Sequence, residues 1–404
     1  MFARSAALLL LIVPLAACRR GDPPPRAAQA SKPLPDGPGQ LALVRAPPPP
    51  CFAPHAHPTP QQLVERGGDA LDEGEETRAL ACAEEAVRAA PAWVPALRLR
   101  ASALSALGRA AEARLAWARA LAADADDPET LLGAARLYVD APDADHDALA
   151  LGLAYALRGA ERAQRGRARD RDLARRLLTL AASAENELGS SAEALEHADT
   201  ALGFGPKDLD ARYEKGVALY ELCRFREAKA ELERLVAAAP DDAWALHQLS
   251  LVAERTGDPH RADRLERRAR ALAPDAFPPP VDVDRGAFEA EVRRAMAALP
   301  DADRRALAAV PVEVEDVPSL EDLTAVDPPL SPAILGLYRG PSATEPCLPE
   351  DGATCRSIVF YRKNLARFAR DRTELAEQVR VTLLHELGHL RGESDDELRA
   401  RGLQ

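Results

Sequence analysis

A 34-residue period runs through residues 61–277 and limits the fold of this chain more than any other feature. Pro206, Pro240 and Pro274 are spaced 34 residues apart, and Gly189 and Gly257 precede two of these prolines by 17 residues. Alanines recur five and twelve residues after the turn positions: Ala79, Ala113, Ala194, Ala228 and Ala262, then Ala86, Ala120, Ala201 and Ala269. Glycine at a turn, small residues at helix crossings and proline at the exit together predict stacked helix–turn–helix units.

This pattern resembles the tetratricopeptide repeat (TPR) family. The resemblance implies an α-solenoid whose groove binds a peptide or a protein partner. The clearest units span 61–94, 95–128, 176–209, 210–243 and 244–277, and the period is blurred between 129 and 175, where we expect a longer, irregular helix pair. An array that serves only as a spacer or scaffold would show the same pattern, and the repeats do not identify a ligand.

A second feature lies near the C-terminus, where the sequence reads H-E-x-x-H-x-x-G-x-x-D. Residues four apart share one face of a helix, so His385 and His389 can point at one metal ion. Glu386 follows the first histidine, where a general base can act without binding the metal. Gly392 can turn the chain back and bring Asp395 to the metal. Three protein ligands and one open position are typical of a catalytic Zn²⁺ site.

The pattern of elements before this motif differs from that of the repeats. We expect helices over Arg285–Leu299 and Ala302–Ala309, strands near Val310–Asp316, Ile334–Tyr338 and Ser357–Tyr361, a helix over Arg372–Arg391, and a short acidic helix from Asp395. This order resembles the minimal zincin-like metallopeptidases of bacteria over about residues 285–404. The resemblance implies a small α+β domain with a zinc site and peptidase activity. It also favours Asp395 as the third ligand over Glu393, Asp396 and Glu397.

Three finer expectations concern this domain. The strand Ser357–Tyr361 is expected to pair with an extended substrate, as open sheet edges do. Tyr338 and Tyr361 are candidates for stabilising an oxyanion, although tyrosines packed on the sheet would look the same in sequence. Because no Met-turn follows the motif within this sequence, the site is expected to be unusually open.

The first 18 residues have the pattern of a targeting segment. Arg4 provides a positive charge, Ala6–Val13 is apolar, and Leu15-Ala16-Ala17-Cys18 resembles a bacterial lipobox. We expect residues 1–18 to be a lipoprotein signal peptide with lipid attached to Cys18, and an ordinary secretory signal is the alternative. Residues 19–60 are rich in proline and alanine and predict a disordered linker. The expected location is the bacterial cell envelope, on the periplasmic or outer-surface side of a membrane.

The net charge bears on the class of partner, and the cysteines bear on possible disulfides. The formal net charge of −12 argues against nucleic acid as a partner. Cys347 and Cys355 bracket a turn-rich loop, and export makes a local disulfide between them plausible. Cys51 and Cys82 can also pair, whereas Cys223 is expected to be a buried free thiol.

Taken together, the sequence predicts a mainly α protein with a TPR α-solenoid (61–277) followed by a small α+β zincin-like domain (281–404). The expected function is that of a membrane-anchored, zinc-dependent metallopeptidase whose repeats bind a protein or peptide. The alternative is a TPR binding scaffold with a structural or inactive zincin-like domain. The intact Glu386 favours the enzyme, because a structural metal site does not need a base at this position.

Overall fold

The computed structural model describes residues 51, 57–165, 170–346 and 355–403. Most of these residues are helical, and a small sheet lies near the C-terminus, which confirms the predicted fold class. The chain divides into two compact units, one ending at Glu214 and the other containing the chain from Lys215 onward. This boundary lies inside a repeat helix, so the predicted segments 61–277 and 281–404 remain divisions by sequence pattern.

The unit that ends at Glu214 consists of helix pairs. They are α1 (Pro60–Asp72) with α2 (Glu76–Ala89), α3 (Val94–Ala106) with α4 (Ala110–Ala123), α5 (Pro128–Val139) with α6 (His146–Gln164), and α7 (Asp170–Glu187) with α8 (Ser191–Phe204). The stretch with the blurred period contains most of α5, all of α6 and the start of α7. The helices α6 and α7 have 19 and 18 residues, and these extra turns disturb the period.

The turns within the pairs explain the spacing of the glycines. Gly74, Gly108 and Gly189 have φ angles of 72°, 67° and 78°, and Gly257 in the other unit has 82°. This left-handed conformation costs other residues about 1–2 kcal/mol. Cys223 occupies the corresponding turn with φ 57°. Its thiol is free, as predicted, but the residue is only partly buried, because a turn lies nearer the surface than a helix crossing.

The recurring alanines lie where helices cross. None of the nine is more than 8% exposed: Ala79, Ala86, Ala113, Ala120, Ala194, Ala201, Ala228, Ala262 and Ala269. A single methyl group lets two helix backbones approach closely, and a larger side chain would overpack the contact. The alanine spacing therefore reports helix packing.

A disulfide joins Cys51 to Cys82, as the sequence allowed, with the two Cα atoms 4.8 Å apart. Cys82 lies on α2 and is fully buried, and Cys51 is 1% exposed. The bridge packs with Leu63 and Ala86 in a small apolar cluster. It fixes the chain that precedes α1 to the first helix pair.

The unit from Lys215 onward contains the rest of the repeat helices and a mixed segment. The repeat helices are α9 (Leu209–Glu221), whose first residues belong to the other unit, α10 (Phe225–Ala238), α11 (Ala243–Arg255) and α12 (Pro259–Leu272). The C-terminal segment (residues 281–403) contains α13 (Arg285–Ala297), α14 (Asp301–Leu307), β1 (Val312–Glu315), α15 (Leu320–Leu323), β2 (Gly336–Arg339), β3 (Ser357–Tyr361), α16 (Arg362–Phe368), α17 (Arg372–Arg391) and α18 (Asp395–Ala400).

The three strands form a sheet in the order β1-β3-β2. β1 is parallel to β3, with Val312 opposite Ile358, and β2 is antiparallel to β3, with Gly336 opposite Phe360. The expectation that β3 pairs with a substrate is therefore wrong, because both of its edges are already bonded within the sheet. Among the described strands, the open edges belong to β1 and β2.

One face of this sheet packs against α17. Ile358 and Phe360 of β3 and Leu383 and Leu387 of α17 are completely buried in one apolar cluster. Burial of a leucine or phenylalanine side chain stabilises the fold by about 1.5–3 kcal/mol. The helix that carries both motif histidines is thereby held against the sheet.

Within this same unit, the last repeat helices contact the C-terminal segment. Glu254 of α11 accepts hydrogen bonds from Lys363 Nζ at 2.7 Å and from Arg367 Nη2 at 2.8 Å, both on α16. Glu221 of α9 accepts a hydrogen bond from Ser331. These contacts explain why the last repeats and the C-terminal segment belong to one compact unit. Among the described residues, no helix is both long and apolar enough to cross a bilayer.

Candidate metal centre

The motif helix α17 begins and ends where its sequence directs. Asp371 caps its start, because its carboxylate accepts the backbone N–H groups of Thr373 and Glu374. Its end is set by Gly392, which has φ 86°, and the next N–H, that of Glu393, returns to Gly388 O at 3.0 Å. The helix spans Arg372–Arg391, as predicted.

The turn at Gly392 leads directly into α18 and to the third acidic side chain. Ser394 forms a capping box with Glu397, so Asp395 occupies the first position of α18. Its Oδ1 lies 3.2 Å from His385 Nε2 and 3.3 Å from His389 Nε2. The structure thus brings together the three residues that the sequence proposed as ligands.

The tautomers of the two histidines follow from their other ring nitrogens. His385 Nδ1 lies 3.0 Å from the Leu403 carbonyl, and His389 Nδ1 lies 3.1 Å from the Glu393 carbonyl. A carbonyl only accepts hydrogen bonds, so each neutral ring carries its proton on Nδ1. Both Nε2 atoms then have lone pairs, and these atoms are only 3.0 Å apart.

With the protons on Nδ1, both Nε2 lone pairs and the carboxylate of Asp395 face one another. Neither oxygen of Asp395 has a hydrogen-bond partner, although this residue is 3% exposed. Burial without compensation is unfavourable for such groups, and a cation placed among them would remove the penalty.

The spacing of these atoms fits a metal ion. The ligand atoms of His385, His389 and Asp395 all lie within 4.8 Å of one another. In a tetrahedral zinc site, two ligand atoms are about 3.3 Å apart. Two imidazoles and one carboxylate also form a ligand set that Zn²⁺ uses in catalytic sites. The residues present therefore fit zinc.

Glu386 lies next to this group and is 1% exposed. Burial raises the pKa of its carboxyl group, against the lowering effect of His389 and His385. Oε1 has no hydrogen-bond partner, and the backbone N–H of Tyr338 donates to the carboxylate. A base with a raised pKa and one oxygen that accepts no hydrogen bond suits proton transfer.

The ligands also affect each other's ionisation. Burial disfavours the charged form of His389, but Asp395 and Glu386 outweigh it and raise the pKa of the imidazole. Burial raises the pKa of the Asp395 carboxyl group, but His385 and His389 lower it by more, so the net shift is downward. Both shifts mean that the three side chains together favour a positive charge between them.

The three competing acidic residues have other roles. Glu393 pairs with Arg401, Asp396 pairs with Arg399 at 2.8 Å, and Glu397 belongs to the capping box. Only Asp395 points its carboxylate at both histidines. The geometry thus separates alternatives that spacing alone had left open.

The two tyrosines considered for oxyanion stabilisation are packed against the sheet. The Tyr338 hydroxyl donates to the Pro341 carbonyl, so it already has a partner. Tyr361 is completely buried, and its hydroxyl has no hydrogen-bond partner. Burial raises the pKa of both hydroxyls, which makes them poorer proton donors.

The site is more enclosed than the sequence suggested. The side chains of His385, His389 and Asp395 are 4%, 16% and 3% exposed. The expectation of an unusually open site is wrong, because α18 folds back over α17. Its residue Leu398 is completely buried against Gly388, where a Cβ atom would lie 2.3 Å from Leu398 Cδ2.

Sequence reasoning missed two features of the site. Gly336 of β2 allows the sheet to approach α17, since a Cβ there would lie 2.5 Å from Thr382 Cγ2 and 3.1 Å from Glu386 Oε1. A glycine opening a short strand was the available signal. The Leu403 carbonyl had no signal, because a backbone acceptor 18 residues from its histidine carries no mark in sequence.

The predicted cysteine sites are only partly within the described residues. Cys355 is disulfide-bonded, whereas Cys347 lies outside the described residues, so their pairing remains a prediction. Cys18, the predicted lipidation site, also lies outside them.

Two family models match parts of the chain. Residues 307–403 match zincin-like metallopeptidases, and residues 186–249 match the tetratricopeptide repeat. The chain therefore carries a TPR region followed by a zincin-like metallopeptidase domain, as both resemblances implied. No match is found among curated proteins.

Solved structures with a similar fold include several repeat proteins. PilF of Pseudomonas aeruginosa is 14% identical, with a TM-score of 0.46, over 53% of this chain and 92% of that chain. PilW, described as a type IV pilus biogenesis factor, is 15% identical, with a TM-score of 0.47, over 54% and 96%. YrrB, described as a TPR protein with an unusual peptide-binding site, is 16% identical, with a TM-score of 0.37, over 48% and 93%.

Proposed function

We propose that this protein is a zinc-dependent metallopeptidase whose metal ligands are His385, His389 and Asp395. The observation that carries the proposal is the convergence of His385 Nε2, His389 Nε2 and a buried carboxylate whose oxygens have no assigned hydrogen-bond partner. The match of residues 307–403 to zincin-like metallopeptidases supports the same reaction class.

The side chains around the centre suit hydrolysis of a peptide bond. A bound zinc ion would lower the pKa of a water molecule toward about 7 and polarise the substrate carbonyl. Glu386 accepts the proton of the attacking water and passes it to the leaving amine. Its buried position keeps bulk water from competing for that proton.

The edge of β2 is the place where we expect a substrate to bind. The N–H of Tyr361 bonds to the Leu335 carbonyl, so alternate residues of β2 direct their backbone groups away from β3. One of these is Tyr338, whose N–H reaches the carboxylate of Glu386. An extended peptide added to this edge would lie beside the base, as in β-strand addition. Access is expected on the side of His389, the most exposed of the three ligands.

The decisive experiment combines zinc content with peptide hydrolysis. The full-length chain is assayed for zinc by mass spectrometry and for cleavage of a mixed peptide library. We expect about one zinc per chain and slow cleavage. Glu386→Gln should retain zinc and lower cleavage by about 10²–10⁴-fold, because it removes the proton acceptor.

A matched control is available on the same helix. Glu377 is exposed and pairs only locally with Arg380 of α17, so Glu377→Gln should leave both zinc content and cleavage unchanged. If the wild-type chain binds no zinc after reconstitution, the proposal fails. If it binds zinc but Glu386→Gln cleaves as well as wild type, the assignment of the base fails.

The alternative, a binding scaffold with a structural or inactive metal domain, has less support. A structural zinc site is closed by four protein ligands, whereas three candidate ligands converge here among the described residues. Glu386 beside them is buried with one oxygen that accepts no hydrogen bond. A purely structural site would not need that group.

We also propose that the repeats bind a protein or peptide. The TPR match supports this, because such arrays present surfaces that bind extended segments. Binding of a fluorescent peptide library to the Glu386→Gln chain would test it without cleavage. Absence of any saturable binding by this chain would reduce the repeats to a spacer.

The location in the cell envelope is likewise a proposal. Its support is the lipobox ending at Cys18 and the disulfide between Cys51 and Cys82, which is typical of oxidising compartments. Cell fractionation of wild type and Cys18→Ser tests it. We expect the wild-type chain in the membrane fraction and the variant outside it, whereas equal distribution would exclude lipid anchoring.

A further inference from the structure

The two histidines of the metal centre are oriented by very different partners. His389 Nδ1 donates to the carbonyl of Glu393, four residues away in the turn that ends α17. His385 Nδ1 donates at 3.0 Å to the carbonyl of Leu403, 18 residues away. The first contact arises from the motif itself. The second requires the chain to return to α17 after α18.

That return is well defined by backbone contacts. Gly402 has φ 74°, and its N–H bonds to the Arg399 carbonyl at 3.0 Å. The N–H of Leu403 bonds to the Leu398 carbonyl at 3.0 Å, which closes the end of α18. Leu398 in turn is buried against Gly388 between the two histidines. The position of the Leu403 carbonyl is therefore tied to α17 through Leu398.

We propose that the Gly402–Leu403 turn is a positioning element for the metal centre, in which the Leu403 carbonyl fixes the tautomer and ring orientation of His385. This inference rests on the proposed metal site. An acceptor at Nδ1 holds the proton there and leaves Nε2 free to bind a metal. Without it, His385 can carry the proton on Nε2, where it would face His389 and Asp395.

A simpler interpretation is that the turn only ends α18. The two interpretations predict different effects of disturbing the turn. If the turn merely ended the helix, its loss would affect folding without changing the tautomer of His385. If it positions the ring, its loss should change that tautomer and the affinity for zinc in a protein that remains folded.

Gly402 offers a matched pair of substitutions. A Cβ at this position would meet no atom within 4 Å, so only the backbone conformation is at issue. Gly402→Val is strained at positive φ and should displace Leu403, whereas Gly402→Asn tolerates the left-handed region. A chain ending at Arg401 removes the carbonyl, and Gln404→Ala is its control, because that chain keeps the amide carbonyl of Leu403.

The experiment measures zinc affinity by chelator competition and the tautomer of His385 by ¹⁵N NMR of the zinc-free chain. Gly402→Val and the chain ending at Arg401 should bind zinc about 10–100-fold more weakly, as for other lost partners of ligating histidines. In both, His385 should shift from the Nδ1–H form to a mixture, while His389 stays unchanged. Gly402→Asn and Gln404→Ala should match wild type in both measurements.

Several outcomes would overturn the inference. It fails if Gly402→Val and the chain ending at Arg401 keep wild-type affinity and tautomer. If both changes unfold the protein, as judged by circular dichroism, the wild-type spectrum decides: an Nε2–H form of His385 refutes the contact, and an Nδ1–H form supports it. If the wild type binds no zinc, the proposed function fails, but the tautomer of His385 still tests the role of the turn.

Discussion

Buried carboxylates are present both in the repeat helices and in the metal centre, but their surroundings differ. In the repeats, Glu185 lies 2.8 Å from His197, and Glu231 accepts from Arg234 at 2.9 Å. In the metal centre, Asp395 is equally buried, yet neither of its oxygens accepts a hydrogen bond, and Oε1 of Glu386 is in the same state. These two repeat carboxylates have partners within the fold, whereas the carboxylates of the centre keep oxygens that accept no hydrogen bond. Carboxylates without a hydrogen-bond partner therefore mark the place where a functional site is expected, because the fold alone does not specify a function.

The largest effect expected from this difference is stabilisation by zinc. Free zinc at about a thousand times its dissociation constant should stabilise the folded chain by about 4 kcal/mol. Thermal unfolding of the full chain with zinc and with a chelator measures it. Asp395→Asn should remove most of the effect, because a ligand is lost.

A control in zinc-free protein compares a carboxylate of the metal centre, Asp395, with a carboxylate of the repeats, Glu185. Asp395→Asn should then be close to neutral, since the favourable effect of His385 and His389 on the carboxylate is opposed by the cost of its burial. Glu185→Gln should destabilise by about 1–3 kcal/mol, since it weakens a satisfied buried pair. Equal destabilisation by both substitutions would contradict the comparison.

The disulfide of the first helix pair should give the next largest effect. Cys51 and Cys82 are separated by 31 residues, and removing a bridge over such a loop costs about 3.7 kcal/mol. Cys82→Ala, measured by denaturant unfolding, should lower stability by this amount without changing zinc affinity. Cys223→Ala is the control, because that thiol is unbridged. A loss of zinc affinity in Cys82→Ala would show that the two regions are not independent.

A smaller effect comes from Glu221, a repeat residue whose carboxyl group has no cationic partner among the causes of its pKa shift. Burial raises the pKa of its carboxyl group to about 7, against a lowering hydrogen bond from Ser331. The folded state therefore favours the neutral acid. Its contribution is complete below the unfolded pKa near 4.5 and is lost as pH rises through about 7.

The pH dependence of wild type and Glu221→Gln separates this contribution from that of other groups. Between about pH 5 and 8, the wild type should lose on the order of 1–3 kcal/mol more stability than the variant. Chemical unfolding at several pH values provides the difference. Parallel curves for the two proteins would mean that the carboxyl group ionises freely in the folded state.

The smallest effect concerns the turn at Cys223. Its φ of 57° is unfavourable for cysteine, and glycine occupies the other repeat turns with positive φ. Cys223→Gly should stabilise the protein by about 1 kcal/mol, the cost of the left-handed conformation. The reverse change, Gly257→Cys, should destabilise by a similar amount. If both substitutions destabilise, the Sγ contact with the Leu330 carbonyl at 3.7 Å is worth more than the strain.

The features predicted best from the sequence are those set by residues that lie close together in the chain. The bounds of α17 were correct because Asp371 and Gly392 cap it, and the repeat turns were correct because positive φ requires glycine or a residue that tolerates strain. The helices α15 and α16 were missed. They have only 4 and 7 residues, and α16 follows β3 without a capping side chain.

The site was predictable in its chemistry but not in its surroundings. Spacing indicated His385, His389 and Asp395, because helix geometry relates residues that are close in sequence. The central position of β3 and the enclosure of the site depend on contacts between distant segments. No local pattern reports that Leu403 returns to His385 or that β2, rather than β3, has the open edge.

The bridge between Cys51 and Cys82 also decides how the chain would respond to a pulling force. Tension applied on the N-terminal side of Cys51 passes through the sulfur atoms directly to α2. The covalent path bypasses α1, so this helix cannot be peeled away from its end. The load falls on α2, which is buried through Ala79, Ala83 and Ala86. Tension is therefore carried by a covalent bond as far as Cys82, and only the chain beyond that residue relies on packing and hydrogen bonds.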